Sequence, residues 1–187
     1  MNSDRNVDRQ RICEAIPHRE PFLFVDEILE WTDGRIVCAK TFTGRETFFA
    51  GHYPGHPLVP GVLLCEAAMQ AGAILLSRPW ADVAGRPGDK TGSGSATSHG
   101  EAAESGRCEA PVPVVSQARL VPVATRMNDV RFKRMVRPGE TIRMEVELTE
   151  RLAEAFFLRA KVTVDGQVAV RFEFACTAAK VDRGGTL

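Results

Sequence analysis

The stretch Gly51-His52-Tyr53-Pro54-Gly55-His56-Pro57-Leu58-Val59-Pro60-Gly61 runs directly into Val62 to Leu76, VLLCEAAMQAGAILL, and this junction decides the fold. Pro54, Pro57 and Pro60 lack an amide donor, while glycines such as Gly51 and Gly55 are free to take backbone angles closed to other residues. The first half therefore excludes a regular helix or strand and prescribes one loop path. The second half has few polar positions, and a helix that is apolar nearly all round belongs in a core. The expectation is a rigid loop feeding the N-terminus of a central helix.

Upstream, Ile12, Ala15 and Ile16 fall at helical spacing within Val7 to Ile16, a short leading helix that stops at Pro17. Phe22-Leu23-Phe24-Val25 opens a strand running to about Trp31; Thr32-Asp33-Gly34 turns the chain, and Arg35 to Phe42 returns as the second strand of a hairpin. Downstream, the composition shifts over about residues 79–124. Gly85 to Gly106 in particular is mostly Gly, Ser, Thr, Ala and charge without periodicity, which reads as a flexible surface insertion holding no fixed site. Strand-like segments then follow closely: Asn128 to Val136, Glu140 to Leu152 (alternating Ile142, Met144, Val146, Leu148), Phe156 to Val164 and Val168 to Thr177. The turns Arg137-Pro138-Gly139 and Asp165-Gly166 suit antiparallel connections. One long helix inserted after the second of about six strands gives an α+β fold, a single domain over 1–187 in which an antiparallel sheet wraps a central helix.

The 187 residues are 44% hydrophobic and 26% charged, enough apolar mass for a real core. Lys+Arg and Asp+Glu are both 24, which argues against a broad nucleic-acid-binding face and leaves room only for local patches. Cys13, Cys38, Cys65, Cys108 and Cys176 are odd in number and widely spaced, without a CxxC, so neither a disulfide framework nor a structural zinc site is expected. The N-terminus, MNSDRNVDRQRICEA, is charged and has no apolar h-region, and Gly61 to Leu76 is too short to cross a bilayer and contains Glu66 and Gln70. A cytoplasmic protein with neither signal peptide nor membrane span is the natural expectation.

Four histidines are available for chemistry, His18, His52, His56 and His99. His99 sits in the low-complexity insertion and reads as solvated. His52 and His56 are four apart, a metal-binding spacing on a helix, but Pro54, Gly55 and Pro57 exclude the helix, so no metal is expected. His52 instead suits a general base, with an ordinary pKa of about 6.5. Its loop feeds a helix whose first N–H groups, near Gly61 and Val62, have no intrahelical partner and are suited to hold a thioester carbonyl oxygen as it becomes enolate-like. Each such donor is typically worth about 2.7–4 kcal/mol in a transition state. A side chain at Gly61 would block close approach of the substrate. Glu66 is the other anomaly, a carboxylate on a helix that otherwise wants to be dry. Two readings stand: a solvated or structurally paired Glu, or a buried acid of raised pKa oriented by Gln70 one turn later. In the second reading, an acid and a loop histidine flank an anion-stabilising helix end, which suits α-proton removal coupled to loss of a β-hydroxyl.

These residues resemble the FabZ family of (3R)-hydroxyacyl-acyl-carrier-protein dehydratases. The resemblance rests on Ile16-Pro17-His18-Arg19, Pro21-Phe22-Leu23-Phe24-Val25-Asp26, Phe48-Phe49-Ala50-Gly51-His52-Tyr53-Pro54-Gly55-His56-Pro57, Val59-Pro60-Gly61-Val62-Leu63, and Glu66-Ala67 with Gln70. It resumes at Val130-Arg131-Phe132-Lys133-Arg134 and Val136-Arg137-Pro138-Gly139-Glu140. It implies the hot-dog fold and a homodimer, often a trimer of dimers, with His52 and Glu66 contributed to each catalytic site by opposite subunits. It further implies that the Gly61 and Val62 amides hold the thioester carbonyl. The substrate would ride on the phosphopantetheine arm of acyl carrier protein, with no metal or redox cofactor. Glu66, where the related dehydratase-isomerases carry Asp, favours dehydration without isomerisation. The local basic cluster Arg131, Lys133, Arg134 and Arg137 has two readings, a contact for the acidic carrier or its phosphate and a solvated strand face.

Two other classes compete. A hot-dog acyl thioesterase would release free thiol without an enoyl product, and the pairing of His52 with Glu66 argues against it. A non-catalytic carrier-binding scaffold would bind without turnover, against which stand both candidate catalytic residues.

Overall fold

The computed structural model describes residues 2–83 and 119–181. Helix α1 (Asn2–Ala15) is followed by strands β1 (Glu27–Trp31) and β2 (Arg35–Thr41), helix α2 (Gly61–Val83), and strands β3 (Arg119–Phe132), β4 (Thr141–Leu152), β5 (Ala155–Val164) and β6 (Gln167–Val181). The strands form one six-stranded sheet in the order β1-β2-β4-β5-β6-β3. Every neighbouring pair is antiparallel. This is the expected hot-dog arrangement, with the helix entering after the second strand.

The sheet closes round α2 because the two surfaces fit in period and in size. Ile142, Met144 and Val146 alternate inward along β4, as do Phe156, Leu158, Ala160 and Val162 along β5. They meet Leu64, Ala67, Ala68, Ala71, Ile74 and Leu75 of α2 in one continuous core. The small residues matter. At Gly72 a Cβ would lie 2.7 Å from the Phe174 ring, so the helix is seated too close to the sheet for a side chain there. Helix α1 is polar and docks through Ile12 and Cys13, with Ile16 just past its end; all three are buried.

Several boundaries differ from expectation: α1 begins at Asn2 and β6 runs on to Val181, and four further differences bear on the core and the site. Phe22 to Val25 is not part of β1; the Phe24 N–H and the Phe22 carbonyl are taken by a side chain of α2, described below. α2 continues past Leu76 to Val83, through Pro79, with the Ser77 hydroxyl donating to the Ile74 carbonyl at 2.8 Å. β3 begins at Arg119, inside the segment expected to be insertion, because residues 119–124 pair with β6. The remainder of the expected insertion, 84–118, lies outside the described residues. Finally, β3 ends at Phe132 rather than Val136: Val136 is drawn into the core, where its carbonyl accepts from Val59 N–H at 2.8 Å. Cys38, Cys65 and Cys176 are buried free thiols, as the spacing implies, whereas Cys13 is disulfide-bonded, which the spacing did not predict.

Candidate active site

His52 is placed by main chain. A short 3-10 turn, Thr47–Ala50, delivers the chain to Gly51, and His52 N–H donates to the Phe48 carbonyl at 2.9 Å. Leu58 N–H donates to the His52 carbonyl at 3.0 Å, while the His52 ring Nδ1 lies 2.9 Å from the Leu58 carbonyl. Inside this clasp, Tyr53 and His56 exchange N–H···O bonds of 3.3 and 3.0 Å, and Gly55 takes φ +75°. A carbonyl only accepts, so Nδ1 carries the ring hydrogen and, in the neutral imidazole, Nε2 keeps a lone pair. Tyr53 stacks on the ring with centroids 4.1 Å apart. The loop thus presents a half-buried histidine of defined tautomer.

Glu66 is placed by side chains. Gln70, 1% exposed, saturates its amide. Its Oε1 accepts from Phe24 N–H at 2.8 Å, and Nε2 donates to the Phe22 carbonyl at 3.0 Å and to Glu66 Oε1 at 2.9 Å. Because Phe24 N–H only donates and the Phe22 carbonyl only accepts, the amide cannot be reversed, and Glu66 Oε1 must be an acceptor. A proton on this carboxyl therefore sits on Oε2. The expected Gln70–Glu66 contact is present, but Glu66 is half-buried, its side chain 22% exposed, not dry. His18 Nε2 lies 3.6 Å from the same Oε1. Burial pushes the His18 pKa down; Glu66 pulls it up and Arg19 pushes it down further.

No hydrogen bond or ion pair joins His52 to Glu66 within the chain among the described residues. Gly61 and Val62 open α2, as expected, and Leu63 N–H already donates to the Pro60 carbonyl at 2.9 Å. Glycine at 61 has a further reason that the sequence did not reveal: a Cβ would stand 2.7 Å from the Phe132 ring, which is half-exposed at the end of β3. Of the basic cluster, Arg131, Lys133 and Arg137 are exposed. Arg134 is instead held by Glu140 at 2.6 Å. Arg171, which sequence reasoning passed over, faces Arg131 across the β3–β6 ladder. His18 was missed as a neighbour of Glu66 as well, although its place in Ile16-Pro17-His18-Arg19 was a signal.

A family model described as a FabA-like domain matches residues 16–101. The chain is 35% identical over 158 residues, 84% of its length and 88% of the relative's, to a 3-hydroxyacyl-[acyl-carrier-protein] dehydratase FabZ of Clostridium perfringens. It is 36% identical over 168 residues, covering 89% of this chain and 92% of the relative, to the protein of the same name from Bacillus cereus. Among solved structures it is similar to the dehydratase heterocomplex ApeI:P from Xenorhabdus doucetiae, with a TM-score of 0.62 at 13% identity over 90% of this chain and 91% of that one.

Proposed function

Because the chain belongs to the 3-hydroxyacyl-[acyl-carrier-protein] dehydratase FabZ family, we propose that it removes water from (3R)-3-hydroxyacyl chains on acyl carrier protein, giving the trans-2-enoyl thioester in fatty acid biosynthesis. The observation that carries the mechanism is the 2.9 Å contact of His52 Nδ1 with the Leu58 carbonyl, which leaves Nε2 as a base. Nε2 takes the α-proton, and charge moving onto the thioester oxygen is met by the Gly61 and Val62 amides at the positive end of α2. As the C–O bond breaks, Glu66 Oε2 gives its proton to the departing β-hydroxyl, which leaves as water. The elimination involves no net transfer of electrons to or from the protein, so it calls for no redox cofactor. With the developing charge met by the two amides and the leaving group protonated by Glu66, the scheme assigns no role to a metal.

No hydrogen bond or ion pair joins His52 to Glu66 within one chain among the described residues, which fits a homodimer in which each site draws on both copies. β3 supplies a suitable edge: it ends the sheet, and Val123 and Met127 are exposed along it. Assembly into a trimer of dimers is compatible with that contact. The acidic carrier and its phosphate suit Arg131, Lys133 and Arg137, joined by Arg171; Arg134, neutralised by Glu140, contributes to the local fold instead. A cytoplasmic setting fits this substrate, and among the described residues no helix is long and apolar enough to cross a membrane.

Mass spectrometry of 3-hydroxyacyl carrier protein before and after incubation tests the reaction. The expected product is lighter by one water and still acylated. Free carrier thiol, or an unchanged substrate, would overturn the proposal.

A further inference from the structure

We propose that His18 is a positioning residue for Glu66: its Nε2–H joins the Gln70 amide on Glu66 Oε1, fixing the carboxyl plane so that Oε2 faces the departing hydroxyl. The inference rests on the reading of Glu66 as the acid.

His18 is held over Glu66 from both sides. Arg19 donates from Nη1 to the carbonyls of His18 at 2.7 Å and Ile16 at 2.9 Å, and from Nη2 to that of Cys13 at 2.9 Å, which ties the segment to the end of α1. Past His18, Phe22 and Phe24 are bonded to Gln70, the residue that also holds Glu66. The ring stacks at 6.5 Å on Phe22. Its Nε2 stands 3.6 Å from Oε1, longer than a formed hydrogen bond, and contacts of this kind shorten when substrate closes the site.

The other ring nitrogen decides the protonation state. Nδ1 is buried and has no hydrogen-bond partner among the described residues. Protonating the imidazole would leave an N–H there without an acceptor, at the full cost of desolvating it. The downward push of burial on the His18 pKa agrees. A neutral ring matters for the reaction. An imidazolium beside Glu66 would hold it as the carboxylate and remove the proton that the leaving hydroxyl needs, whereas a neutral N–H orients the carboxyl without ionising it.

Two polar replacements separate position from packing. His18→Gln puts an amide N–H near the Nε2 position, whereas the shorter His18→Asn reaches only to Nδ1. We expect His18→Asn to lower kcat by about tenfold with KM within about twofold, the scale of one lost hydrogen bond, and His18→Gln to retain most of kcat. In a Glu66→Gln background, His18→Asn should cost no further activity. Equal loss in both His18 variants, tracking a fall in thermal midpoint, would overturn the proposal in favour of a structural role, and so would full activity of His18→Asn. Those results leave the reading of Glu66 intact; that reading fails separately if Glu66→Gln alone is fully active.

Discussion

The two groups assigned to the reaction are held in opposite ways. His52 is oriented by the main chain of its own loop, through bonds that reach no further than Leu58. Glu66 is oriented by side chains from distant segments: Gln70, itself clasped to Phe22 and Phe24, and His18. The base is thus set by local backbone geometry, and the acid by a tertiary network that must be assembled first. Perturbations should separate accordingly: changes at His52 act on chemistry alone, while changes around Glu66 act on chemistry and stability together.

The sharpest break in this comparison comes from removing each group. His52→Ala should lower kcat by about 10²–10⁴, the range of a lost general base, with little change in thermal midpoint. Glu66→Gln, assayed alongside, should fall near the lower end of that range, because its side-chain amide still contacts the hydroxyl without supplying a proton. Steady-state kinetics with a 3-hydroxyacyl carrier substrate check both, and an unimpaired His52→Ala would remove the base from the scheme.

Gln70→Leu probes the network itself. It leaves Phe24 N–H and the Phe22 carbonyl without their partner, which should destabilise the protein by about 1–3 kcal/mol in denaturant unfolding. It also frees Glu66, so kcat falls with stability. A loss of stability with kcat untouched would show that the network does not serve the acid.

Gly61→Ala acts where the two regions join. The added methyl meets the Phe132 ring, and we expect a cost of about 1–2 kcal/mol that a second change, Phe132→Ala, relieves. If Gly61→Ala impairs catalysis even with Phe132→Ala present, the glycine serves substrate approach, as the sequence alone had implied.

This contrast also explains what the sequence made legible. The His52 loop could be read because glycine and proline act on their own neighbours, and α2 because its apolar run needs no partner to be recognised. The same holds for β4, whose alternating Ile142, Met144 and Val146 lie inward as expected. Phe22 to Val25 reads as strand because it is a continuous apolar run, of which Leu23, Phe24 and Val25 are indeed buried, yet a Gln70 side chain takes the place of a strand neighbour, and no local pattern announces that. Phe132 over Gly61 and Arg134 beside Glu140 are hidden for the same reason. The Gln70–Glu66 contact was legible because it is one helical turn; His18, far off in sequence, carried only its place in a motif.

The central claim is that the loop of one copy and the helix of another make one site. Mixing His52→Ala and Glu66→Ala subunits under conditions that exchange copies tests it directly. Random pairing makes half the dimers mixed, each with one complete site, so about a quarter of the parental activity should return from two nearly inactive parents. No recovery in a preparation shown to contain mixed dimers would contradict the shared site.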